Sequence, residues 1–381
     1  MNHYSTIIIG GGASGLFLAH LLPEALLLEK NSRLALKVLS SGGGKCNFTT
    51  SVPFDTLLNK YFDKKNFVKS CLYNFPPDKI RKHFDTLDCP SYSNDEFKVF
   101  PKSNKSISVV KALENNCDNI LLNSEVISVR KEEDIFLVKT SNGEYSSNNL
   151  VIASGGKNYL ENGKTVSSYE LCQTFGHRII KTQEALVPLV VKENVSKLQG
   201  ISVENASIRH NKKTYEGPLL FTKVGISGPL VLNMSREVNL NDKLYISFAD
   251  LDLNMIKSQN GKLKVLTALV NITGLPKRLI ETLIPFSDKT IATINKEEIN
   301  YCINNLTKLE LTIVGKENKH AMVTRGGVDT KEINSSTFES KLVSDLYILG
   351  EALDIDGESG GFNITFAFAS AKACFDKLTK L

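Results

Sequence analysis

Hydrophobic patterning divides the chain into three kinds of segment. Near the start, Ile7-Ile8-Ile9 is an unbroken apolar run that stops at Gly10-Gly11-Gly12, the mark of a strand buried on both faces of a parallel sheet. Leu16-Phe17-Leu18-Ala19-His20-Leu21-Leu22 then suits a helix, and Pro23 cuts it short. The helix therefore spans about nine residues, roughly 13 Å. Leu26-Leu27-Leu28 is a second buried strand ending at Glu29. Further strands are predicted at Asn119-Ile120-Leu121-Leu122, Val126-Ile127-Ser128-Val129 and Asn149-Leu150-Val151-Ile152-Ala153, with Ile135-Phe136-Leu137-Val138 as a hairpin arm. The strand at 149–153 runs into Ser154-Gly155-Gly156, small residues that let a ligand approach a sheet edge.

From about Val187 to Ile313 the pattern changes to short strands of antiparallel character: Val187-Pro188-Leu189-Val190-Val191, Ile201-Ser202-Val203, Ala206-Ser207-Ile208, Leu219-Leu220-Phe221 and Leu244-Tyr245-Ile246-Ser247-Phe248. They predict a small barrel. Helical periodicity interrupts it at Leu263–Leu269, Leu279–Ile284 and Glu297–Ile303. Toward the end, Leu346-Tyr347-Ile348-Leu349 reads as a strand and Ile364–Ala371 as a helix rich in small residues. Between them lie Gly350-Glu351 and the glycine-rich stretch Asp356–Asn363. The predicted architecture is an α/β, Rossmann-like domain of residues 1–187 and 321–381. It is interrupted by a β-barrel of residues 188–254 and 308–320, which carries a helical insert at 255–307.

The opening segment has the spacing of a dinucleotide-binding turn, Gly10-x-Gly12-x-x-Gly15, between a strand and a helix. Gly10 allows the tight turn, Gly12 lets backbone approach a pyrophosphate, and Gly15 lets helix and sheet pack closely. The pyrophosphate then meets unpaired N–H groups at the positive end of a helix dipole. Glu29, at the tip of the second strand, is suited to accept hydrogen bonds from both hydroxyls of an adenosine ribose. At the far end, Gly350-Glu351, a glycine loop and a helix form a second ligand-facing turn. Its helix start suits the negative charge of a reduced flavin, and Glu351 suits ribityl hydroxyls. Both chain ends facing one ligand favours the long FAD over a nicotinamide alone.

Composition narrows the picture. The net charge of +5, from 46 basic and 41 acidic residues, is too weak to predict a nucleic-acid partner. A small-molecule substrate is expected instead. No run approaches the roughly 18 apolar residues of a membrane span, and Met1-Asn2-His3-Tyr4 leads straight into the first strand, so a cytoplasmic protein is expected. Seven cysteines without a Cys-x-x-Cys pair, and six histidines never spaced i, i+4, predict neither a disulfide framework nor a metal site.

Several blocks occur together in one order: Gly10 to Gly15 with Glu29, Gly42-Gly43-Gly44-Lys45-Cys46-Asn47, Lys98-Val99-Phe100-Pro101, Ala153-Ser154-Gly155-Gly156, Leu220 to Pro229, Thr324-Arg325-Gly326-Gly327-Val328 and Gly350 to Gly357. Over nearly the whole chain they resemble the BaiN-type NAD(P)/FAD-dependent oxidoreductases, a family that includes aminoacetone oxidases. The resemblance implies a glutathione-reductase-like FAD domain interrupted by a barrel and a helical insert. The chain departs from the family pattern at Lys45, Ser154 and Lys223, and at 157–165, where a proline and a Gly-Asp-Gly are missing; substrate-side loops are expected to differ. The cofactor-binding residues expected are Gly10, Gly12, Ala13, Ser14, Gly15, Glu29, Lys30, Gly43, Gly44, Lys45, Cys46, Asn47, Val126, Ala153, Ser154, Gly155, Gly350, Glu351, Asp356, Gly361, Phe362 and Asn363.

Candidate catalytic groups are Cys46, whose thiolate would be favoured by neighbouring Lys45, and Lys45 and Arg325 as anion binders near the flavin ring. No resolving cysteine lies within several residues of Cys46, so packing or cofactor contact is its alternative role. No second Gly-x-Gly-x-x-Gly follows a strand between residues 100 and 320, so any NAD(P)H must reach the flavin directly as a transient donor. The leading expectation is hydride transfer through flavin N5 between a reduced nicotinamide or small organic substrate and a second acceptor. A flavin-dependent RNA-modifying enzyme, marked by a basic groove beside the flavin, and a noncatalytic flavin sensor are the alternatives.

Overall fold

The computed structural model describes residues 1–156, 167–317 and 322–380. Both the altered stretch at 157–165 and the 320/321 boundary expected from the sequence lie at least partly outside these residues. The described chain forms two compact units, residues 1–183 with 323–381 and residues 184–322.

In the first unit, strands Asn119–Leu121, Leu26–Leu28, Asn2–Ile9 and Gly143–Ile152 lie side by side, all parallel. The long strand Gly143–Ile152 serves two neighbours in turn. Its first half pairs antiparallel with Ile135–Thr140, and its last three residues pair parallel with Leu346–Ile348. Register decides the geometry that matters: Ile9 stands opposite both Leu28 and Ile152, Leu28 opposite Leu121, and Ile152 opposite Ile348. Five parallel strands thus stop on one line, and the residues that follow them form a single carboxyl edge, where ligands bind in open α/β sheets.

The opening helix, Ala13–Leu21, has the nine residues expected and is buried on nearly every side. Its partner is the closing helix, Phe362–Leu378, with ten buried residues. Phe17 and Phe368 meet with ring centroids 4.8 Å apart, and Phe84 stands 5.5 Å from Phe368 and 4.9 Å from Phe48. Helices without a polar face belong in an interior. Here the aromatic cluster locks the first and last helices of the chain together. A small sheet of Thr49–Thr50, Lys98–Pro101 and Ser91–Ser93 flanks them.

The second unit is a closed barrel, in the order Leu189–Val191, Gly225–Ser227, Lys213–Phe221, Ser202–His210, Lys243–Ser247 and Leu309–Lys316. The two apolar triplets at 201–203 and 206–208 belong to one strand, with a register shift between Val203 and Ala206. The extra residue brings Val203 to the buried face that Ala206 and Ile208 share. Helices Leu253–Lys257, Val265–Thr273, Lys277–Leu283 and Lys296–Thr307 lie between the last two barrel strands. Leu269, Ile280 and Leu306 share one core with Ile208, Leu219 and Leu244 of the barrel. Among the described residues no helix is long and apolar enough to cross a membrane.

Candidate functional site

The carboxyl edge of the first unit gathers most of the expected residues. Gly10 has φ +103° and donates its N–H to the Leu28 carbonyl at 2.8 Å, so the chain turns immediately after its strand. Gly15 sits against the Gly10 carbonyl, where a Cβ would collide. Gly12, by contrast, faces open space: a Cβ there would find only the Ala153 carbonyl oxygen, 3.9 Å away. As the residue entering the helix it supplies no side-chain cap, so the helix start keeps N–H groups for an outside acceptor.

The same contrast runs through the whole set. Added Cβ atoms at Gly43, Gly44 and Gly155 would meet nothing within 4 Å, whereas at Gly350 one would lie 2.8 Å from Ser14 Oγ, and at Gly361 one would lie 2.9 Å from Asn47 Oδ1. Gly12, Gly43, Gly44 and Gly155 therefore present bare backbone, whereas Gly10, Gly15, Gly350 and Gly361 allow close approach of neighbouring segments. The contact between Ser14 and Gly350 brings the two chain ends to the same place.

Glu29 is buried and held. Its Oε2 accepts from Gly11 N at 2.7 Å, and its Oε1 accepts from the backbone and side chain of Asn31 at 2.8 and 2.7 Å. These bonds fix the carboxylate at the strand tip, and each oxygen retains lone-pair directions for a sugar hydroxyl. Lys30 follows it, half-buried. Val126 begins its strand two residues after Ser124, whose N–H donates to the Glu29 carbonyl at 2.9 Å. Ala153 is buried; Ser154 Oγ lies 2.9 Å from Ser168 Oγ, which donates to the Gly155 carbonyl at 2.5 Å.

At the other end, Glu351 accepts from Lys37 Nζ at 2.6 Å and from Thr324 N at 2.7 Å. Arg325, next to Thr324, is half-buried. Ala35, two residues ahead of Lys37, donates its N–H to the Gly11 carbonyl at 2.8 Å, so the segment 35–37 is tied to the first glycine turn at one end and to Glu351 at the other. The closing helix starts at Gly361, φ +89°, again without a side-chain cap. Asn363 bonds both polar atoms of Gly357, at 2.8 and 2.9 Å, and Tyr61 Oη donates to the Phe362 carbonyl at 2.7 Å. Asn363, the buried Phe362 ring and the buried Asp356 shape this loop from inside.

The expectation of a thiolate at Cys46 needs revision. Cys46 is fully buried with φ +60°, and burial pushes its thiol up to about 12, the neighbouring Ser41 hydrogen bond only partly offsetting this. Lys45 is exposed and generates no thiolate there. Asn47 uses its Oδ1 to accept from Val99 N at 3.1 Å, so it anchors the glycine loop on the small sheet. Sequence reasoning missed Asn31 and Lys37, ordinary polar residues in no recognisable spacing, and named Thr324 only as part of the Thr324–Val328 block.

The residues present fit an FAD: an open glycine cradle, a fixed carboxylate at one end and an uncapped helix start at the other. The architecture is that of the FAD-dependent oxidoreductases, a Rossmann-like α/β fold with a six-stranded barrel. Over residues 4–376 the chain matches the HI0933-like protein Rossmann domain model, and it belongs to that family. It is 33% identical to a ribosomal RNA dihydrouridine synthase of Haemophilus influenzae, with 98% of each chain covered. Against the Escherichia coli protein of the same name it is 31% identical, over 99% of this chain and 98% of that one. A 3-dehydro-bile acid delta(4,6)-reductase of Clostridium scindens is 26% identical over 95% of this chain and 96% of its own length. Among solved structures, a 3-ketosteroid delta1-dehydrogenase of Sterolibacterium denitrificans shares the fold with a TM-score of 0.53 at 11% identity, covering 99% of this chain and 100% of that one.

Proposed function

We propose that this protein is an FAD-dependent reductase that saturates a carbon–carbon double bond conjugated to a carbonyl, and that its substrate is a uracil base of ribosomal RNA. The observation that carries the flavin assignment is the shared line on which five parallel strands end, with bare glycine backbone at Gly12 and Gly155 and an uncapped helix at each end of the cradle. The names of the two relatives above 30% identity support the RNA substrate. The third relative supports the bond class, because a 4-ene beside a 3-keto group and the C5–C6 bond of uracil are both polarised by a neighbouring carbonyl.

In this reading the opening helix start and the Gly12 backbone hold the pyrophosphate, Glu29 the adenosine ribose, and Glu351 the ribityl hydroxyls. The Gly42–Gly44 backbone and the start of the closing helix face the ring. The bound flavin supplies hydride to the carbon β to the carbonyl, C6 of uracil, and a proton completes the α carbon. The balanced reaction consumes one NAD(P)H and one proton per uridine and yields dihydrouridine and NAD(P)+. The mild +5 charge, which speaks against nucleic acid when averaged over the chain, does not describe how basic residues are distributed around the cradle.

The test is the dihydrouridine content of ribosomal RNA, by nucleoside mass spectrometry, from cells with and without this protein. Loss that returns when the gene is restored supports the reading. Unchanged dihydrouridine rejects RNA as substrate. Reoxidation of the reduced flavin by a 3-keto-4-ene steroid, seen as the return of its yellow absorbance, would then favour the second reading, a small-molecule enone reductase like the third relative.

A further inference from the structure

Beside the glycine loop that follows the second strand lies a surface with two kinds of RNA-binding chemistry. Tyr92 and Phe100 stand directly opposite one another in the small antiparallel sheet, so both rings project from its outer face. Their centroids are 5.9 Å apart and their planes 31° from parallel, and both residues are half-exposed. Phe100 touches the loop itself: its Cε1 is 3.4 Å from the position of a Cβ on Gly42. The loop that leaves this strand is firmly built. Lys102 N donates to the Pro90 carbonyl at 2.8 Å, Asn104 N to the Pro101 carbonyl at 2.9 Å, and Tyr92 Oη to Asn104 Oδ1 at 2.7 Å. Ser106 Oγ closes it against the Leu39 carbonyl at 2.8 Å.

This frame presents Lys102 and Lys105 to solvent, with Lys45 exposed at the end of the glycine loop. Among the described residues none of the three has a carboxylate partner, whereas Lys37 is paired with Glu351 and Lys98 with Glu96. Asp95 and Glu96, both exposed, sit at the hairpin tip two to three residues beyond Ser93, and exposed Asp88 lies two residues before Pro90, so acidic charge borders the patch at the tip and beside Lys102. Unpaired ammonium groups bind phosphates with release of counterions, and half-exposed aromatic rings stack on bases of any sequence.

We propose that this face, Tyr92 and Phe100 with Lys102 and Lys105, grips a single-stranded RNA segment flanking the nucleotide that enters the flavin cradle. The inference rests on the RNA reading of the function. It names the face on which the strand lies: the rings take bases, the lysines take phosphates, and the adjoining glycine loop leaves room for an extruded base.

The experiment is a fluorescence anisotropy titration of the FAD-loaded protein with a labelled 12-nucleotide oligouridylate at several KCl concentrations. Lys102→Glu with Lys105→Glu is expected to weaken binding about tenfold at low salt. It should also make the salt slope less negative by about 1.4, or about 0.7 for each phosphate of the single strand that is no longer neutralised. Tyr92→Ala is expected to weaken binding about tenfold with the slope unchanged, the mark of a missing stack. Flavin content and melting temperature, measured on the same variants, separate these effects from misfolding. Wild-type affinity and slope in both variants would overturn the proposal, as would failure of the wild-type protein to bind the oligonucleotide. Either result is independent of the ribosomal RNA measurement, so dihydrouridine lost with the gene would leave the functional reading standing while this face is rejected.

Discussion

Lys37 donates to Glu351 at 2.6 Å, joining residues 314 positions apart in the chain. The bond closes the ring of interactions in which the first and last segments build one cradle. Lys37 is 58% exposed, and an ion pair so placed contributes on the order of 0.2–1 kcal/mol to stability. We therefore expect Lys37→Ala to leave the melting temperature within a few degrees of wild type. Glu351→Ala removes the carboxylate proposed for the ribityl hydroxyls and should weaken FAD binding about tenfold, read as flavin-to-protein absorbance after dialysis. Equal flavin retention in Glu351→Ala and wild type would remove Glu351 from the site.

Two glycines of the opening turn should respond in opposite ways. Gly12 faces space, with the nearest atom to an added Cβ 3.9 Å away; Gly12→Val should fold with a near-native melting curve and retain no flavin, because its side chain would fill the place proposed for the pyrophosphate. Gly15 has the Gly10 carbonyl where its Cβ would go, and Gly15→Ala should express poorly or melt well below wild type. A Gly12→Val protein that keeps its flavin would refute the cradle.

Cys46 should behave as an inert thiol. With its pKa pushed up to about 12 by burial, it should resist iodoacetamide at pH 8 in the native protein and react once the chain is unfolded in guanidinium. Peptide mass spectrometry reads the difference. Cys46→Ser should keep both flavin and turnover. Rapid native alkylation, or loss of turnover with flavin retained, would return thiol chemistry to consideration.

His83 supplies a pH dependence with a definite sign. Burial, reinforced by His20 and Lys372, holds its pKa down to about 4 from 6.5, and its ring stands 5.2 Å from those of both Phe17 and His20. Below pH 6.5 the unfolded chain takes up a proton that the folded protein refuses. The contribution is therefore complete above pH 6.5 and is lost as pH falls toward 4. The melting temperature of His83→Phe should fall less steeply over that window than wild type, by several degrees in total. Parallel curves would show that His83 titrates normally in the fold.

Much of this architecture was legible in the residues. Ile7–Ile9, the glycine turn and the Pro23 stop define a nine-residue crossover, and the apolar run Leu346–Leu349 before Gly350 announces the strand that completes the sheet. These signals are local, fixed by periodicity and by backbone sterics. What stayed hidden depends on which polar groups meet in the fold. Asn31 turns back on Glu29 from two residues away, and Lys37 reaches Glu351 across 314 positions, but neither pairing follows a recognisable motif. Lys45 beside Cys46 suggested an activated thiol. The fold instead turns the cysteine inward and leaves the lysine in water, a difference of burial that adjacency in sequence does not encode. The bulge between Val203 and Ala206 likewise converts two apparent strands into one.

The most direct measurement is the visible spectrum of the purified protein, followed by mass identification of any chromophore released on denaturation. We expect a yellow protein with absorbance near 450 nm that releases FAD in about one-to-one ratio, or a colourless one that gains this spectrum when FAD is added. A folded protein that neither carries FAD nor takes it up would contradict the cradle assigned to the carboxyl edge of the sheet, and the reductase reading with it.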